Sequence, residues 1–130
     1  MKFGIGLPHK GPMAHPDKLG DLAKHAESLG FHTIFIGDHI VQPQKIRSRY
    51  SYSESGKPPM SDFSGEWLEQ LTTLSFIAAK TNVIRLLTSV MILPYRNPLH
   101  AAKILTTIDI LSKGRLTVGV GIGWMKEEFE

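Results

Sequence analysis

The fold is decided by residues 115–124, which read Arg-Leu-Thr-Val-Gly-Val-Gly-Ile-Gly-Trp. A run that is apolar and β-branched predicts a buried strand of a parallel sheet. Its alternating glycines predict close packing and a turn in which a ligand can approach the backbone. They do not match the G-x-G-x-x-G dinucleotide fingerprint, because the sixth position is Trp124. Residues 125–130, Met-Lys-Glu-Glu-Phe-Glu, are expected to begin a helix.

Three strand–helix units precede this stretch. Short apolar runs bounded by Pro or Gly predict strands, and apolar residues at helical spacing predict helices that begin behind Pro or Asn. The predicted strands are residues 2–7, 32–37 and 84–93, and the predicted helices begin at Pro16, near Leu68 and at Pro98.

Strands that alternate with helices in this way predict an α/β fold, with a parallel sheet covered by helices. A doubly wound sheet and a TIM (β/α)₈ barrel both fit the pattern. A barrel typically needs about 250 residues. In that case the 130 residues form one partial domain, the N-terminal half of the barrel, truncated after the fourth strand.

The composition is that of an ordinary globular chain, with 42% hydrophobic and 21% charged residues and a net charge of +3. The absence of Cys excludes disulfides and thiolate metal sites and fits a reducing compartment. We expect no signal peptide and no membrane span, and therefore a cytoplasmic location. Basic and aromatic residues are not interleaved, so nucleic-acid binding has little support.

A long segment without helical or strand periodicity covers residues 38–64 and is rich in Ser, Pro, Tyr and Gly. Residues 42–63 are expected to be the most mobile internal part of the chain, because they offer few apolar anchors. Lys45, Arg47 and Arg49 cluster in this loop. They form either a solvated surface or a contact for an anionic cofactor tail.

Polar residues that directly follow a predicted strand are the candidates for chemistry, because parallel strands bring their carboxyl ends together. Among these residues, Asp38 and His39 are the leading candidates for catalysis or binding. An imidazole can transfer protons near neutral pH, and an adjacent carboxylate can orient a polar group. The alternative is that Asp38 only caps local backbone. His9, His39 and His100 match no metal-ligand spacing. Trp67 is expected to be a core residue. Further candidates are Pro8 and His9, residues 88–91, residues 95–97 and residues 121–124.

Several motifs together resemble the luciferase-like monooxygenase superfamily, most closely its branch that uses the deazaflavin coenzyme F-420. The resemblance extends over the whole chain and implies a TIM barrel that binds a deazaflavin or FMN at the strand carboxyl ends. The motifs are Gly-Asp-His at 37–39, Thr-Ser-Val-Met-Ile-Leu-Pro-Tyr-Arg-Asn-Pro at 88–98, Ala-Lys at 102–103, Asp-Ile-Leu-Ser-Lys-Gly-Arg at 109–115 and Gly-Val-Gly-Ile-Gly-Trp-Met-Lys-Glu-Glu-Phe at 119–129.

The resemblance implies roles for matching residues. Asp38 would contact the deazaflavin ring or its hydroxyl system, and His39 would be the active-site histidine beside the reacting ring carbon. Ser89 and Val90 would form a bulge of the third strand with a non-prolyl cis peptide behind the ring, flanked by Thr88 and Met91. Some deazaflavin dehydrogenases of this superfamily have a proton-donating glutamate where this chain has Trp124.

Three functions follow from the resemblance. The first is hydride transfer between a reduced deazaflavin and a small organic substrate, and the second is an FMN-dependent monooxygenase that uses oxygen. The third is a truncated, non-catalytic half barrel that binds flavin or dimerises. A half barrel exposes the edge of its fourth strand and its inner face. We therefore expect a homodimer or higher oligomer whose interface includes side chains such as Ile5, Leu87 or Val118.

Overall fold

The computed structural model describes residues 1–57 and 67–130, in which strands and helices alternate along the chain. Within these ranges no helix is long and apolar enough to span a membrane. The strands are β1 (Gly4–Gly6), β2 (Thr33–Ile36), β3 (Arg85–Ile92) and β4 (Leu116–Gly121), and the helices are α1 (Pro16–Ser28), α2 (Gln70–Lys80) and α3 (Pro98–Leu111). Short 3₁₀ turns occupy Gly11–Met13, Leu93–Tyr95 and Lys126–Glu128.

The four strands form one parallel sheet in the order β1-β2-β3-β4. Ile34 of β2 pairs with Ile5 on one side and with Leu86 on the other. Paired residues of parallel strands project to the same face of the sheet, so these side chains share one face. The predicted parallel α/β arrangement is thereby confirmed.

The helix-covered face of the sheet contains the core. Ile34 and Leu86 are fully buried there, against Leu19 of α1 and Leu74 of α2. Complete burial of one such side chain stabilises the folded state by about 1.5–3 kcal/mol. The helices begin where sequence chemistry favours it: Pro16 and Pro98 occupy first-turn positions, and Asn97 accepts hydrogen bonds from the first backbone N–H groups of α3.

The opposite, inner face carries Phe35 and Leu87, which pair with each other across β2 and β3. The expectation that Ile5 and Val118 also line this face is wrong. Val118 pairs with the buried Thr88, and Ile5 pairs with Ile34, so both lie on the helix side. Successive side chains of a strand point to opposite faces of the sheet. An error of one residue in the position at which the alternation starts therefore assigns a side chain to the wrong face. The assignment of Leu87 to the inner face is confirmed.

The register between β3 and β4 shifts at residues 88–91, which confirms the expected bulge. The Ser89–Val90 peptide bond is cis. A Cβ atom at Gly119 would lie 2.5 Å from the Thr88 carbonyl oxygen, and one at Gly121 would lie 2.7 Å from Val90 Cγ2. Contacts this short are not tolerated by real side chains. The alternating glycines of β4 are therefore needed for close packing against the bulge, as predicted.

The amino-terminal ends of the strands are held by two charged side chains. Glu27 accepts hydrogen bonds from the backbone N–H groups of Val83 (2.6 Å) and Ile84 (2.9 Å). Burial alone would raise the pKa of Glu27, but these N–H groups outweigh it and lower the pKa. The buried Arg115 donates to the carbonyl oxygens of Ala78 (2.8 Å) and Ile84 (2.9 Å). In barrels this end of the strands serves stability rather than chemistry.

Two segments outside the regular helices and strands are residues 125–130 and residues 38–64. Residues 125–130 contain the 3₁₀ turn Lys126–Glu128, and the carboxylates of Glu127 and Glu128 bond to residues of other loops. The long segment 38–64 has no helix or strand in its described part, residues 38–57, as expected. Its remainder lies outside the described residues, so the predicted mobility of 42–63 stays a prediction.

Candidate functional site

The candidate site lies at the carboxyl ends of the strands. Gly37 follows β2, and a Cβ placed there would come within 3.9 Å of the Ser89 carbonyl oxygen on β3. The Asp38 carboxylate accepts a hydrogen bond from the backbone N–H of Ile92 at 2.8 Å. The ends of β2 and β3 thus meet, which confirms that Asp38 and the Ser89–Val90 bulge are at the same end of the sheet.

Asp38 is buried, and its carboxylate is bound within the chain. The Arg96 guanidinium donates hydrogen bonds to both carboxylate oxygens, with Nη2 at 2.8 Å from Oδ1. It also donates to Glu69 at 2.9 Å. The hydrogen bond to Asp38, stronger than the opposing effect of burial, raises the pKa of Arg96. Asp38 therefore ties β2 to the segment after β3. Its expected contact with a cofactor ring stays a prediction.

His39 is bonded to a carboxylate that is distant in sequence. Its Nδ1 lies 2.9 Å from Oε1 of Glu128, and Tyr95 donates its hydroxyl to Oε2 of the same carboxylate at 2.6 Å. The Glu128 side chain is 0% exposed and that of His39 is 19% exposed. Burial and the bond to Glu128 raise the pKa of Tyr95, which keeps the phenol protonated as a donor. The site thus holds an imidazole that remains partly accessible above a buried carboxylate.

Trp67 joins the site from the segment before α2. Its ring contacts His39 edge-to-face with centroids 5.0 Å apart, and it contacts His9 in the same way at 5.6 Å. The ammonium group of Lys10 lies 4.4 Å from the centre of the indole. Trp67 is half-buried, so its predicted position in the core is only partly correct. Its ring contacts the imidazoles of both His9 and His39.

His9 follows β1 and presents a buried ring nitrogen. Its Nδ1 is 3.3 Å from the Leu7 carbonyl oxygen. Among the described residues, Nε2 is buried and has no hydrogen-bond partner. Burial lowers the pKa of His9, more than the Leu7 carbonyl raises it. A neutral ring that donates from Nδ1 has its lone pair on Nε2, so His9 offers an acceptor to a ligand with a hydrogen to donate.

The four residues of the bulge divide by exposure. Ser89 and Val90 are exposed, Val90 at 43%, whereas Thr88 and Met91 are buried. The Thr88 hydroxyl bonds to the backbone of Gly119, donating to its carbonyl at 2.8 Å and accepting from its N–H at 3.0 Å. Met91 belongs to the helix-side core. The expectation that Thr88 and Met91 flank a cofactor ring stays a prediction.

Comparison with known proteins decides the family. The family model described as luciferase-like monooxygenase matches residues 1–130. The chain belongs to the luciferase-like monooxygenase family. Among relatives, an uncharacterized protein of Mycobacterium tuberculosis is 35% identical over 106 residues, which are 82% of this chain and 37% of that protein. The F420-dependent glucose-6-phosphate dehydrogenase of Kineococcus radiotolerans is 31% identical over 120 residues, which are 92% of this chain and 31% of the enzyme.

Solved structures agree with this luciferase-like assignment. Monooxygenase RslO1 from Streptomyces bottropensis superposes with a TM-score of 0.68 at 30% identity, over 99% of this chain and 35% of the other. The coenzyme F420 dependent tetrahydromethanopterin reductase from Methanopyrus kandleri gives 0.64 at 29% identity, over 94% of this chain and 27% of that one. The chain spans about a third of these proteins, and its fold is the N-terminal part of their TIM barrel.

Glu128 and Trp67 are the site residues of this luciferase-like chain that the sequence did not reveal. Acidic residues in the first turn of a predicted helix are ordinarily interpreted as surface residues that interact favourably with the helix dipole. For this reason the sequence did not indicate a role for Glu128 in the site. Trp67 is far in sequence from any strand end and reaches the site through a bridge between its backbone and that of Lys10. Tyr95 and Arg96 lie within the predicted stretch 95–97, and the structure assigns both to this end of the sheet.

The loop after β2 is fastened to the turn after β4 by Glu127. The Glu127 carboxylate accepts from the backbone N–H groups of Arg47 (2.7 Å) and Ser48 (2.9 Å) and from the Ser48 hydroxyl (2.7 Å). The basic cluster is on the surface of this loop: Lys45, Arg47 and Arg49 are exposed. Both alternatives require this exposure, so the solvated surface and the contact with an anionic cofactor tail both stay predictions.

Glu127→Gln is expected to weaken amide protection at Arg47 and Ser48 about tenfold, because a neutral amide accepts hydrogen bonds less strongly than a carboxylate. The Ser48 hydroxyl, followed by the Arg47 N–H, lowers the pKa of Glu127 to about 2. A lowered pKa means that this fastening is complete above the ordinary pKa of 4.5 and is lost as the pH falls towards about 2. Hydrogen exchange, corrected for intrinsic rates at each pH, measures both effects. The matched control is Glu54→Gln, an exposed residue of the same loop, and equal protection in both variants would contradict the prediction.

Proposed function

We propose that this chain is part of an oxidoreductase that transfers a hydride between a reduced deazaflavin, coenzyme F-420, and a small organic substrate. The observation that carries the proposal is the position of His39. It is a partly accessible imidazole at the carboxyl end of β2, bonded to a buried carboxylate and at the same end of the sheet as the exposed Ser89–Val90 bulge. The F420-dependent relative and the F420-dependent structure support the choice of cofactor.

The residues at the strand ends fit a planar, polar-edged ring. Val90 offers exposed apolar surface on β3, and Phe35 adds an aromatic ring on the inner face of β2. The buried Nε2 of His9, unpartnered among the described residues, is an acceptor for a ring N–H or hydroxyl. We propose that Ser89 and Val90 lie against the ring, that Thr88 and Met91 flank it, and that Asp38 contributes at the ring edge together with Arg96.

The chemistry divides between the cofactor and the chain. The deazaflavin, when bound, supplies or accepts the hydride. His39 carries the accompanying proton on its imidazole, and the buried Glu128 carboxylate stabilises the protonated ring. Trp67 limits access of water to the imidazole from one side. Trp124 occupies the position of the glutamate in some deazaflavin dehydrogenases, so we do not propose sugar phosphates as substrates.

An FMN-dependent monooxygenase that uses oxygen is the second candidate, favoured by the similarity to monooxygenase RslO1. A non-catalytic flavin-binding half barrel is the third. The visible absorption spectrum of the purified protein distinguishes flavin, deazaflavin and empty protein. Anaerobic oxidation of reduced coenzyme F-420 by a panel of small carbonyl compounds tests the first function. Reaction without oxygen supports it, whereas turnover only with FMN and oxygen, or bound flavin without turnover, rejects it in favour of the second or third.

We also propose that the chain self-associates as a homodimer or higher oligomer. β4 is an edge of the four-stranded sheet in the described part of the chain, and its Val118 and Val120 are 40% and 53% exposed. Edge strands with exposed apolar side chains tend to pair with another strand. We expect a symmetric dimer, in which a second copy covers β4.

Val120→Lys is expected to lower the affinity of this self-association at least about tenfold, because it places a charge in the apolar contact. Sedimentation velocity at micromolar concentrations measures the change. Val83→Lys is the matched control, since Val83 is 75% exposed at the other end of the sheet. A compact wild-type monomer at these concentrations would contradict the proposal.

A further inference from the structure

We propose that Glu128 is a positioning residue for His39, and that it holds the neutral imidazole in the tautomer with hydrogen on Nδ1 and the lone pair on Nε2. This inference rests on the proposed function only for the use that the reaction makes of His39. The tautomer itself is a property of the chain without cofactor or substrate.

The direction of the hydrogen bonds follows from the chemistry of a carboxylate. An ionised Glu only accepts hydrogen bonds, so each of its partners must donate. Tyr95 Oη lies 2.6 Å from Oε2 and His39 Nδ1 lies 2.9 Å from Oε1. The Glu128 side chain is 0% exposed. A buried carboxylate needs such donors in place of water, which stabilises a hydrogen on His39 Nδ1.

Glu128 is itself firmly held. It lies in the 3₁₀ turn after β4, where its N–H donates to the carbonyl of the fully buried Met125 at 3.2 Å. The neighbouring Phe129 packs against Tyr95 with ring centroids 4.7 Å apart. Gly123 begins this turn with φ +81°, and a Cβ there would lie 3.0 Å from Phe129. The carboxylate is therefore placed by contacts that do not involve His39.

The arrangement brings three strand ends to one carboxylate. His39 follows β2, Tyr95 lies in the turn after β3, and Glu128 lies in the turn after β4. Trp67 contacts the imidazole from a fourth segment with an interplanar angle of 88°. The ring is thus fixed both in orientation and in tautomer. In this tautomer Nε2 can take up a proton while Nδ1–H stays bonded to Glu128, and the protonated Nε2 then gives that proton to the substrate oxygen as the hydride arrives.

The tautomer is measured directly by long-range ¹H–¹⁵N NMR of the imidazole nitrogens at about pH 8, where histidine is ordinarily neutral. We expect His39 of the wild-type chain to carry its hydrogen on Nδ1. Glu128→Gln, which has nearly the same shape, is expected to give a mixture in which at least about a third of His39 has the hydrogen on Nε2, because the neutral amide can accept or donate. Glu130→Gln, two residues away and exposed, is the matched control and should leave His39 unchanged.

Two results would overturn the inference: hydrogen on Nε2 in the wild-type chain, or the same tautomer population in the wild type and a folded Glu128→Gln variant. If that variant does not fold, the wild-type spectrum alone still decides. Neither result depends on turnover. A chain with His39 in the expected tautomer that never oxidises reduced coenzyme F-420 would reject the proposed function and leave the role of Glu128 intact.

Discussion

Replacing His39 with alanine is expected to lower turnover at least about a hundredfold, measured in a full-length family member that carries the same Gly-Asp-His motif. The reason is that general acid–base groups contribute about 10²–10⁴-fold to rate. His39 is the proton-carrying group of the proposed reaction, and Glu128 and Trp67 hold its ring in place. The loss should appear in kcat more than in KM, since the imidazole acts on the proton rather than on the binding of the substrate.

The matched control for this variant is the residue that corresponds to His25, which is exposed near the end of α1 in this chain. Its replacement by alanine should change turnover less than twofold, which is within ordinary experimental variation for a surface residue. Unchanged turnover in the His39 variant would remove this residue from the mechanism. Loss of folding, checked by circular dichroism, would instead mean that His39 is structural.

Arg115→Met is expected to lower the free energy of unfolding by about 3–5 kcal/mol, because several buried acceptors lose their donor at a cost of about 1–3 kcal/mol each. Arg115 is 8% exposed. Its guanidinium donates to the carbonyls of Ser112 (2.7 Å) and Thr81 (3.0 Å) and to the Thr81 hydroxyl (2.8 Å), in addition to the two carbonyls described above. Methionine fills the space but leaves these acceptors at the ends of α2 and α3 without donors.

Urea denaturation measures this loss, and two variants calibrate it. Arg115→Lys retains the charge but lacks the fork of donors, so we expect an intermediate loss. Arg49→Met changes an exposed loop residue and should cost less than about 0.5 kcal/mol. A loss below about 1 kcal/mol for Arg115→Met would show that water replaces the guanidinium and that this end of the sheet does not depend on it.

The order of elements and the parallel sheet could be predicted from the sequence because each strand is a short apolar run and each helix has a Pro, Gly or Asn at its boundary. The glycines of β4 were also informative, since alternate positions point to one face and only Gly fits against the Thr88 carbonyl. The faces of Ile5 and Val118 could not be assigned. An apolar strand that is covered on both sides has no polar residues to mark its inner face.

Half of the candidate site could be predicted in the same way. Asp38, His39 and the bulge directly follow or interrupt strands, so topology alone brings them together. Glu128 could not be predicted, because its role depends on a turn that folds back over β2. The bonds of Asp38 to Arg96 and to Ile92, the last residue of β3, are likewise contacts between residues distant in sequence. No local periodicity encodes such contacts.

We propose that the ring of a deazaflavin binds at the carboxyl ends of β2 and β3. Backbone ¹H–¹⁵N NMR of this chain during titration with coenzyme F-420 tests this binding site. We expect the largest shift changes at His39, Ser89 and Val90, while the amide signals of residues 82–84, bonded to Glu27 at the other end of the sheet, do not shift. Changes centred on residues 82–84, or no change at His39, Ser89 and Val90 at millimolar cofactor, would contradict it.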